Sequence, residues 1–245
     1  LYISSLKDSF KKTDFILGSA VNEFEEKFAK YCSINYSVGC ANGTDALYLA
    51  LKTLNLPKGS EVIVPAMTWI STVLSIINCG LKPVLVDVDM KNSLISIEEI
   101  KKNINKKTKV ILPVHLYGGV VDIKKIRTII NRKKIFIIED AAQAHGALDN
   151  DGNKIGSFSD LACFSFYPGK NLGCYGDGGM IITNSNQHYK KLRKLRNLGS
   201  EDKHKHDEIG INSRLDTIQA KLLILKLQQL SKQNQKRKHG SMTKQ

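Results

Sequence analysis

The chain has 245 residues, 42% of them hydrophobic and 24% charged, with 37 Lys and Arg against 23 Asp and Glu for a formal net charge of +14. That is enough to bury one substantial core, too little for two full domains with a long linker, and too ordinary in charge fraction for general disorder. No apolar run approaches the roughly 20 residues of a membrane-spanning helix, and no basic-then-apolar leader marks export, so a cytoplasmic protein without a membrane partner is expected.

Ser19 precedes a helical stripe of Val21, Phe24, Phe28 and Tyr31, with Glu23 in the first turn. A short strand over 36–40 follows, then a helix from Thr44 to about Leu54. Pro57-Lys58-Gly59 turns the chain into a strand over 61–64. The pattern then predicts a helix over 68–79 capped by Gly80, a strand over 83–88, a helix over 97–104, a strand over 108–114, a helix over 123–131 and a strand over 135–139. Strands over 161–166 and 179–183 flank a glycine-rich loop. A helix over 187–195 and another from about Leu215 into the tail complete the chain. Almost continuously apolar strands separated by single helices predict one α/β domain with a mostly parallel sheet covered on both faces.

The charge does not point to nucleic acid. Only six of the 37 basic residues are Arg, the lysines are spread along the chain, and no stripe of Arg interleaved with aromatics is present. An anionic small-molecule substrate is compatible with the charge, and only 232–244 is locally basic. The five cysteines form no C-x-x-C pair and no Cys/His cluster at zinc spacing, so reduced, buried thiols are expected and no metal.

Several common chemistries lack their motifs. There is no G-x-x-x-x-G-K-[ST], no G-x-S-x-G and no H-E-x-x-H, and Cys40-Ala41-Asn42-Gly43-Thr44-Asp45 stands where a dinucleotide fold would place G-x-G-x-x-G. Gly43-Thr44 lies between a strand and a helix, where backbone amides and a hydroxyl make a phosphate seat or an ordinary helix cap. Asp140 ends the apolar run IIED, where a carboxylate is costly unless a cation or donor meets it. A protonated cofactor ring nitrogen would do so, as would an internal salt bridge. Gln143 and His145 follow, and a histidine there is more often packed than catalytic. Lys170 follows a strand among Gly169, Gly173, Gly176, Gly178 and Gly179, where the permissive backbone lets an amine approach a cofactor aldehyde. An acid for a pyridinium nitrogen, a lysine for an aldehyde and a seat for a phosphate together describe pyridoxal 5'-phosphate.

In these segments the chain resembles the DegT/DnrJ/EryC1/StrS family of pyridoxal-phosphate-dependent sugar aminotransferases. The matching stretches include FILGSAVNEFEEKFAKYC, NGTDALYLAL, EVIVPAMTWISTV, ILPVHLYG, IEDAAQAHGA, GSFSDLACFSFYPGKNLGCYGDGG and GINSRLDTIQA, in family order from about Phe15 to Lys238. The resemblance implies a type I, aspartate aminotransferase-like large domain with a mostly parallel mixed sheet over 1–230. It also implies that 231–245 is a basic tail opening a small domain largely absent from this chain. It implies a homodimer with a shared active site, Lys170 as the Schiff-base lysine and proton shuttle, and Asp140 as partner of the ring nitrogen. Gln143 would lie by the ring's phenolic oxygen, Trp69 would stack on the ring, and Gly43, Thr44 and Ser165 would hold the phosphate. Asn212 would reach the phosphate of the other subunit's cofactor, and Tyr167 and His145 are further candidate catalytic residues. The implied reaction carries nitrogen from an amino acid, glutamate first among them, to a nucleotide-linked keto sugar. AQAHGA and SFYPGKNLGCYGDGG resemble members acting at the sugar's 3-position, which favours a dTDP-3-keto-6-deoxyhexose over a 4-keto sugar. A truncated, non-catalytic homologue with a dimerisation or regulatory role is the alternative.

Overall fold

The structure, a computed structural model, describes residues 7, 10–11, 13–131, 133–200 and 204–242. Helix α1 (Ser19–Cys32) is followed by β1 (Tyr36–Cys40), α2 (Gly43–Thr53), β2 (Glu61–Pro65), α3 (Ile70–Asn78), β3 (Lys82–Val86), α4 (Ile97–Asn103) and β4 (Thr108–Ile111). A 3-10 turn (Leu116–Gly118) leads to α5 (Ile123–Ile130), β5 (Phe136–Asp140), β6 (Leu161–Ser165), β7 (Gly179–Thr183), α6 (Asn186–Leu195), α7 (Thr217–Leu227) and α8 (Leu230–Met242).

The seven strands form one sheet in the order β1-β7-β6-β5-β4-β2-β3. From β6 to β3 every pairing is parallel, whereas β7 runs antiparallel to both of its neighbours, β6 and β1. The mostly parallel α/β sheet expected from the apolar runs is therefore present, and it is mixed, as the resemblance implied. Every residue of β2 and of β7 is buried, as strands covered on both faces require. Alternation along β6 sends Leu161 and Cys163 to one core, and Ala162 and Phe164 to the other. In the second core Phe24 and Phe28 of α1 meet Phe164 and Phe166, with tilted or edge-on rings 5.1–5.7 Å apart.

One ion pair crosses this packing. Glu25 of α1 accepts the Gly39 amide at 2.7 Å and pairs with Arg196, which also donates to the Gly39 carbonyl at 2.7 Å. Both side chains are buried, so each charge relies on the other and on the β1 backbone for solvation, and α1, β1 and the end of α6 are joined at one point.

Several boundaries shift by a residue, and four differences from the sequence reading are larger. Helix α3 starts at Ile70, because Trp69 takes an extended backbone (φ −72°, ψ 144°) as its N-terminal cap. Strand β3 ends at Val86, and Val88 instead bridges Ile95. Strand β4 ends at Ile111; Leu112 still donates to Ile63, and then Pro113 has no amide to offer. The predicted terminal helix is two helices, broken at Gln228 and Gln229.

Because β7 is antiparallel to both neighbours, β1 points the same way as β2 to β6. The carboxyl ends of β1, β2, β4, β5 and β6 thus open on one edge of the sheet, where parallel α/β folds place their ligands. Among the described residues no helix is long and apolar enough to cross a membrane, no His/Cys/Asp/Glu group could hold a metal, and all five cysteines are unpaired.

Candidate active site

At that edge lies a cavity of about 480 Å³, within the range of small-molecule sites. Asp140, the last residue of β5, is buried in its wall. Its Oδ1 accepts the Ala142 amide at 3.1 Å and its Oδ2 accepts the Thr72 hydroxyl at 2.9 Å. With the Thr72 hydrogen so committed, Thr68 donates to Thr72 across 2.8 Å, which ties the loop after β2 to the same acid. Burial pushes the Asp140 carboxyl above its ordinary value, against the Ala142 and Thr72 hydrogen bonds and the Lys170 charge. No salt bridge reaches it among the described residues.

Behind the wall His115 and Glu139 form a second buried couple. His115 Nδ1 accepts the Val121 amide at 3.1 Å, so Nε2 carries the proton and donates to Glu139 Oε2 at 2.6 Å. Glu139 Oε1 accepts the Gly156 amide at 2.9 Å, and the His115 amide donates to the Asp140 carbonyl at 3.0 Å. The pair fixes the backbone of Asp140 and leaves the carboxylate to the cavity.

Lys170, half-buried, reaches the cavity from the loop after β6, which neighbours β5. Its amide donates to the Tyr167 carbonyl at 2.9 Å. The loop closes tightly enough that a Cβ on Gly173 would lie 2.5 Å from the Pro168 carbonyl oxygen, so glycine is required there. Opposite, α2 begins against β6: a Cβ on Gly43 would lie 2.6 Å from Ser165 Cβ. Asn42 caps α2 by accepting the Asp45 amide, and its carbonyl accepts the Ala46 amide. The amides of Gly43 and Thr44 have no protein acceptor among the described residues. Thr44 donates its hydroxyl to Ser71 of α3 at 2.9 Å. With Ser165 these groups form a helix-start seat of positive potential suited to an anion.

Gln143 also lines the cavity, and its Oε1 accepts the Tyr117 amide at 2.6 Å. That bond sets the orientation of the side-chain amide and leaves Nε2 as a donor. Trp69, 73% exposed, and Tyr167 stand at the mouth. The predicted residues Gly43, Thr44, Trp69, Asp140, Gln143, Ser165, Tyr167 and Lys170 are thus gathered around one space.

Two are not. Asn212 is exposed and bridges Asn197, away from the cavity. His145 is only 2% exposed and packs 5.4 and 5.8 Å from the rings of Phe164 and Phe166, behind the sheet. Neither of its ring nitrogens has a hydrogen bond of good geometry, and burial drives its pKa down to about 3 from 6.5. The unfolded chain therefore binds a proton below pH 6.5 that the folded chain refuses until about pH 3, and stability falls as pH drops through that window. His145→Phe is expected to remove about 1.4 kcal/mol of that loss per pH unit, seen as a flatter dependence of the thermal midpoint on pH between 6 and 4. An unchanged slope would mean the imidazole is protonated in the fold. Sequence reasoning did not single out Thr68, Ser71 and Thr72, whose hydroxyls order the site; an alcohol near a helix start was the only signal they offered.

The family model of the DegT/DnrJ/EryC1/StrS aminotransferase family matches residues 2–243. The chain belongs to that family. The match extends beyond the span from Phe15 to Lys238 expected from the motifs. A Streptomyces venezuelae dTDP-3-amino-3,4,6-trideoxy-alpha-D-glucose transaminase is 44% identical over 223 residues, 91% of this chain and 59% of that protein. The crystal structure of S. venezuelae DesV in complex with a ketimine intermediate superposes with a TM-score of 0.91 at 41% identity, covering 94% of this chain and 62% of that one. Bacillus subtilis NtdA, with bound cofactor PMP, gives 0.87 at 32% identity, covering 94% and 52%. The chain thus spans about three-fifths of the length of the curated relatives it matches.

Proposed function

We propose that this chain is the cofactor-binding part of an aminotransferase that uses pyridoxal 5'-phosphate to move nitrogen from an amino acid, glutamate first among them, to a dTDP-3-keto-6-deoxyhexose. Residues 1–230 would form the large domain and 231–245 the start of a small one, in a cytoplasm whose reducing conditions suit five unpaired thiols. The observation that carries the reading is the placement of Asp140, Lys170 and the α2 start around one cavity. A buried carboxylate with no cation paired to it is matched by a protonated ring nitrogen, and a helix start with free amides by a phosphate.

The cofactor, when bound, supplies an aldehyde for the lysine and an electron-withdrawing ring. Lys170 Nζ would hold it covalently, then move a proton between the substrate carbon and the cofactor as general base and acid. Asp140, held by Thr72 and Ala142, would keep the ring nitrogen protonated. Gln143 Nε2 would donate to the phenolic oxygen, Trp69 would cover the ring, and Tyr167 would exclude water at the mouth. Gly43, Thr44 and Ser165 would hold the phosphate. His145 supports the reading only as packing under the Lys170 loop.

The same reading makes the protein a homodimer. Ile70, Leu74 and Ile77 form an exposed stripe at i, i+4 and i+7 of α3, with Trp69 at its start and exposed Leu85 on the edge strand β3. A second copy would cover this stripe and bring its Asn212 toward the cofactor phosphate.

The test is an absorbance titration of the chain with pyridoxal phosphate, then glutamate, then the keto sugar. The expected result is a visible band, bleached by glutamate and restored by a dTDP-linked 3-keto sugar in preference to its UDP or 4-keto counterparts. No band would overturn the cofactor assignment; a band unmoved by glutamate would mean binding without turnover.

A further inference from the structure

Helix α8 does not line the cavity, yet one of its side chains joins two of the loops that do. Asn234 Nδ2 donates to the His145 carbonyl at 2.7 Å, and Asn171 Nδ2 donates to Asn234 Oδ1 at 3.0 Å. Arg237 donates to the same oxygen at 3.4 Å. Asn171 is the neighbour of Lys170, and His145 lies two residues beyond Gln143. The half-buried Asn234 amide thus uses its donor on one wall segment and its acceptor on the other.

The Lys170 loop needs such support. From Tyr167 to Tyr175 its own backbone bonds are few, chiefly the Lys170 amide to Tyr167 and the Cys174 amide to Phe166. Helix α7 holds the far end, where Gln219 accepts the Tyr175 amide and donates to the Tyr175 carbonyl, both at 2.8 Å. Lys226 donates to the Gly173 carbonyl and lies 4.1 Å from the Tyr175 ring centre. At the end next to the lysine the Tyr167 amide donates to Ser165 Oγ at 3.3 Å, and among the described residues Asn234 is the side chain of another element that grips it. The fit is close: a Cβ on Gly146, which has φ +78°, would lie 2.9 Å from Asn234 Nδ2.

We propose that Asn234 is a positioning residue for Lys170. It locks the lysine loop to the Gln143–His145 segment, so that α8, and whatever docks on it, sets where the Lys170 amine stands relative to Gln143 and Asp140. The proposal deepens the reading of Lys170 as the cofactor lysine.

Its test has one arm free of the cofactor and one with it. Amide hydrogen exchange on the cofactor-free chain should show Lys170 exchanging about five- to tenfold faster in Asn234→Ala, the consequence of losing one or two hydrogen bonds. The thermal midpoint should fall by only a few degrees. Asn234→Asp keeps the acceptor for Asn171 and loses the donor to His145, so exchange should rise at 145–147 and much less at Lys170. Asn171→Ala should do the reverse. With pyridoxal phosphate, the rate of borohydride-fixed attachment to Lys170 should fall about tenfold in Asn234→Ala, in step with the exchange. Ser231→Ala, on the same helix but touching Tyr31 at 3.4 Å, is the control for mere docking of α8. Unchanged exchange in Asn234→Ala, or an equal rise in Ser231→Ala, overturns the proposal. An unaltered chain that takes up no cofactor overturns the functional reading instead, and the exchange arm still decides the brace.

Discussion

Lys170→Ala is expected to end covalent attachment of pyridoxal phosphate and to lower amino transfer by about 10²- to 10⁴-fold, the usual cost of removing a positioned acid and base. The fold should tolerate the change. The Lys170 amide, which holds the loop to Tyr167, is kept, and the half-buried side chain faces the cavity. The check is borohydride reduction followed by peptide mass analysis: the unaltered chain should carry the cofactor on the Lys170 peptide and the variant on none. Attachment at another lysine in both proteins would sink the assignment, a real comparison because the chain has many exposed lysines that could form such adducts non-specifically.

Asp140→Asn is expected to slow transfer by about 10²- to 10³-fold, as removal of a fixed electrostatic partner does, with no loss of stability. Asparagine is nearly the same shape and keeps an oxygen for Thr72 or Ala142, but it cannot hold a proton on a ring nitrogen. The sign of the stability effect follows from burial. The folded carboxyl titrates above its ordinary 3.8, so between that value and its raised folded pKa the folded state binds more protons, and stability declines as pH rises. The variant lacks that decline and should melt at the same temperature as the unaltered chain or higher at pH 7. Slower turnover without weaker folding marks a residue retained for chemistry. A fall of several degrees would instead mean that the buried Asp140 carboxylate is net stabilising despite its desolvation.

Much of this architecture was legible in the chain, for a physical reason. Strands buried on both faces must be apolar throughout, so β2, β4 and β5 announce themselves and their separation by helices implies parallel neighbours. Strand direction leaves no such mark. Gly179–Thr183 is as apolar as β5, and its antiparallel insertion between β1 and β6 could not be read from composition. That Asp140 and Lys170 deserve notice was legible, because an acid ending an apolar strand and a lysine in a glycine-rich loop after one both demand a reason, and both line the cavity. Thr72 was not, since a threonine inside a helix is ordinary until its acceptor is known. His145 shows the opposite failure: two residues beyond Gln143, it shares the motif but turns behind the sheet to meet Phe164 and Phe166. Asn234 lay in a stretch read as a helical, basic tail opening a small domain, since a hydrogen bond to a loop more than sixty residues away has no local signature.

The insertion of β7 also orders events in time. Among the described residues strand β1 has one hydrogen-bonded neighbour in the sheet, β7, with Tyr36 opposite Thr183 and Cys40 opposite Gly179. During synthesis β1 leaves the ribosome about 140 residues before that partner exists, a long-range closure of the kind that slows folding. Until then β1 has no strand to pair with, and Glu25 lacks its Arg196. The start of α2, which follows β1 directly, therefore takes its final place among the last parts of the pocket, after the parallel strands from β2 to β6 are able to assemble. The helix start at Gly43 and Thr44 is thus completed late, as is the Lys170 loop, which waits for Gln219, Lys226 and Asn234, while Asp140 stands on earlier ground.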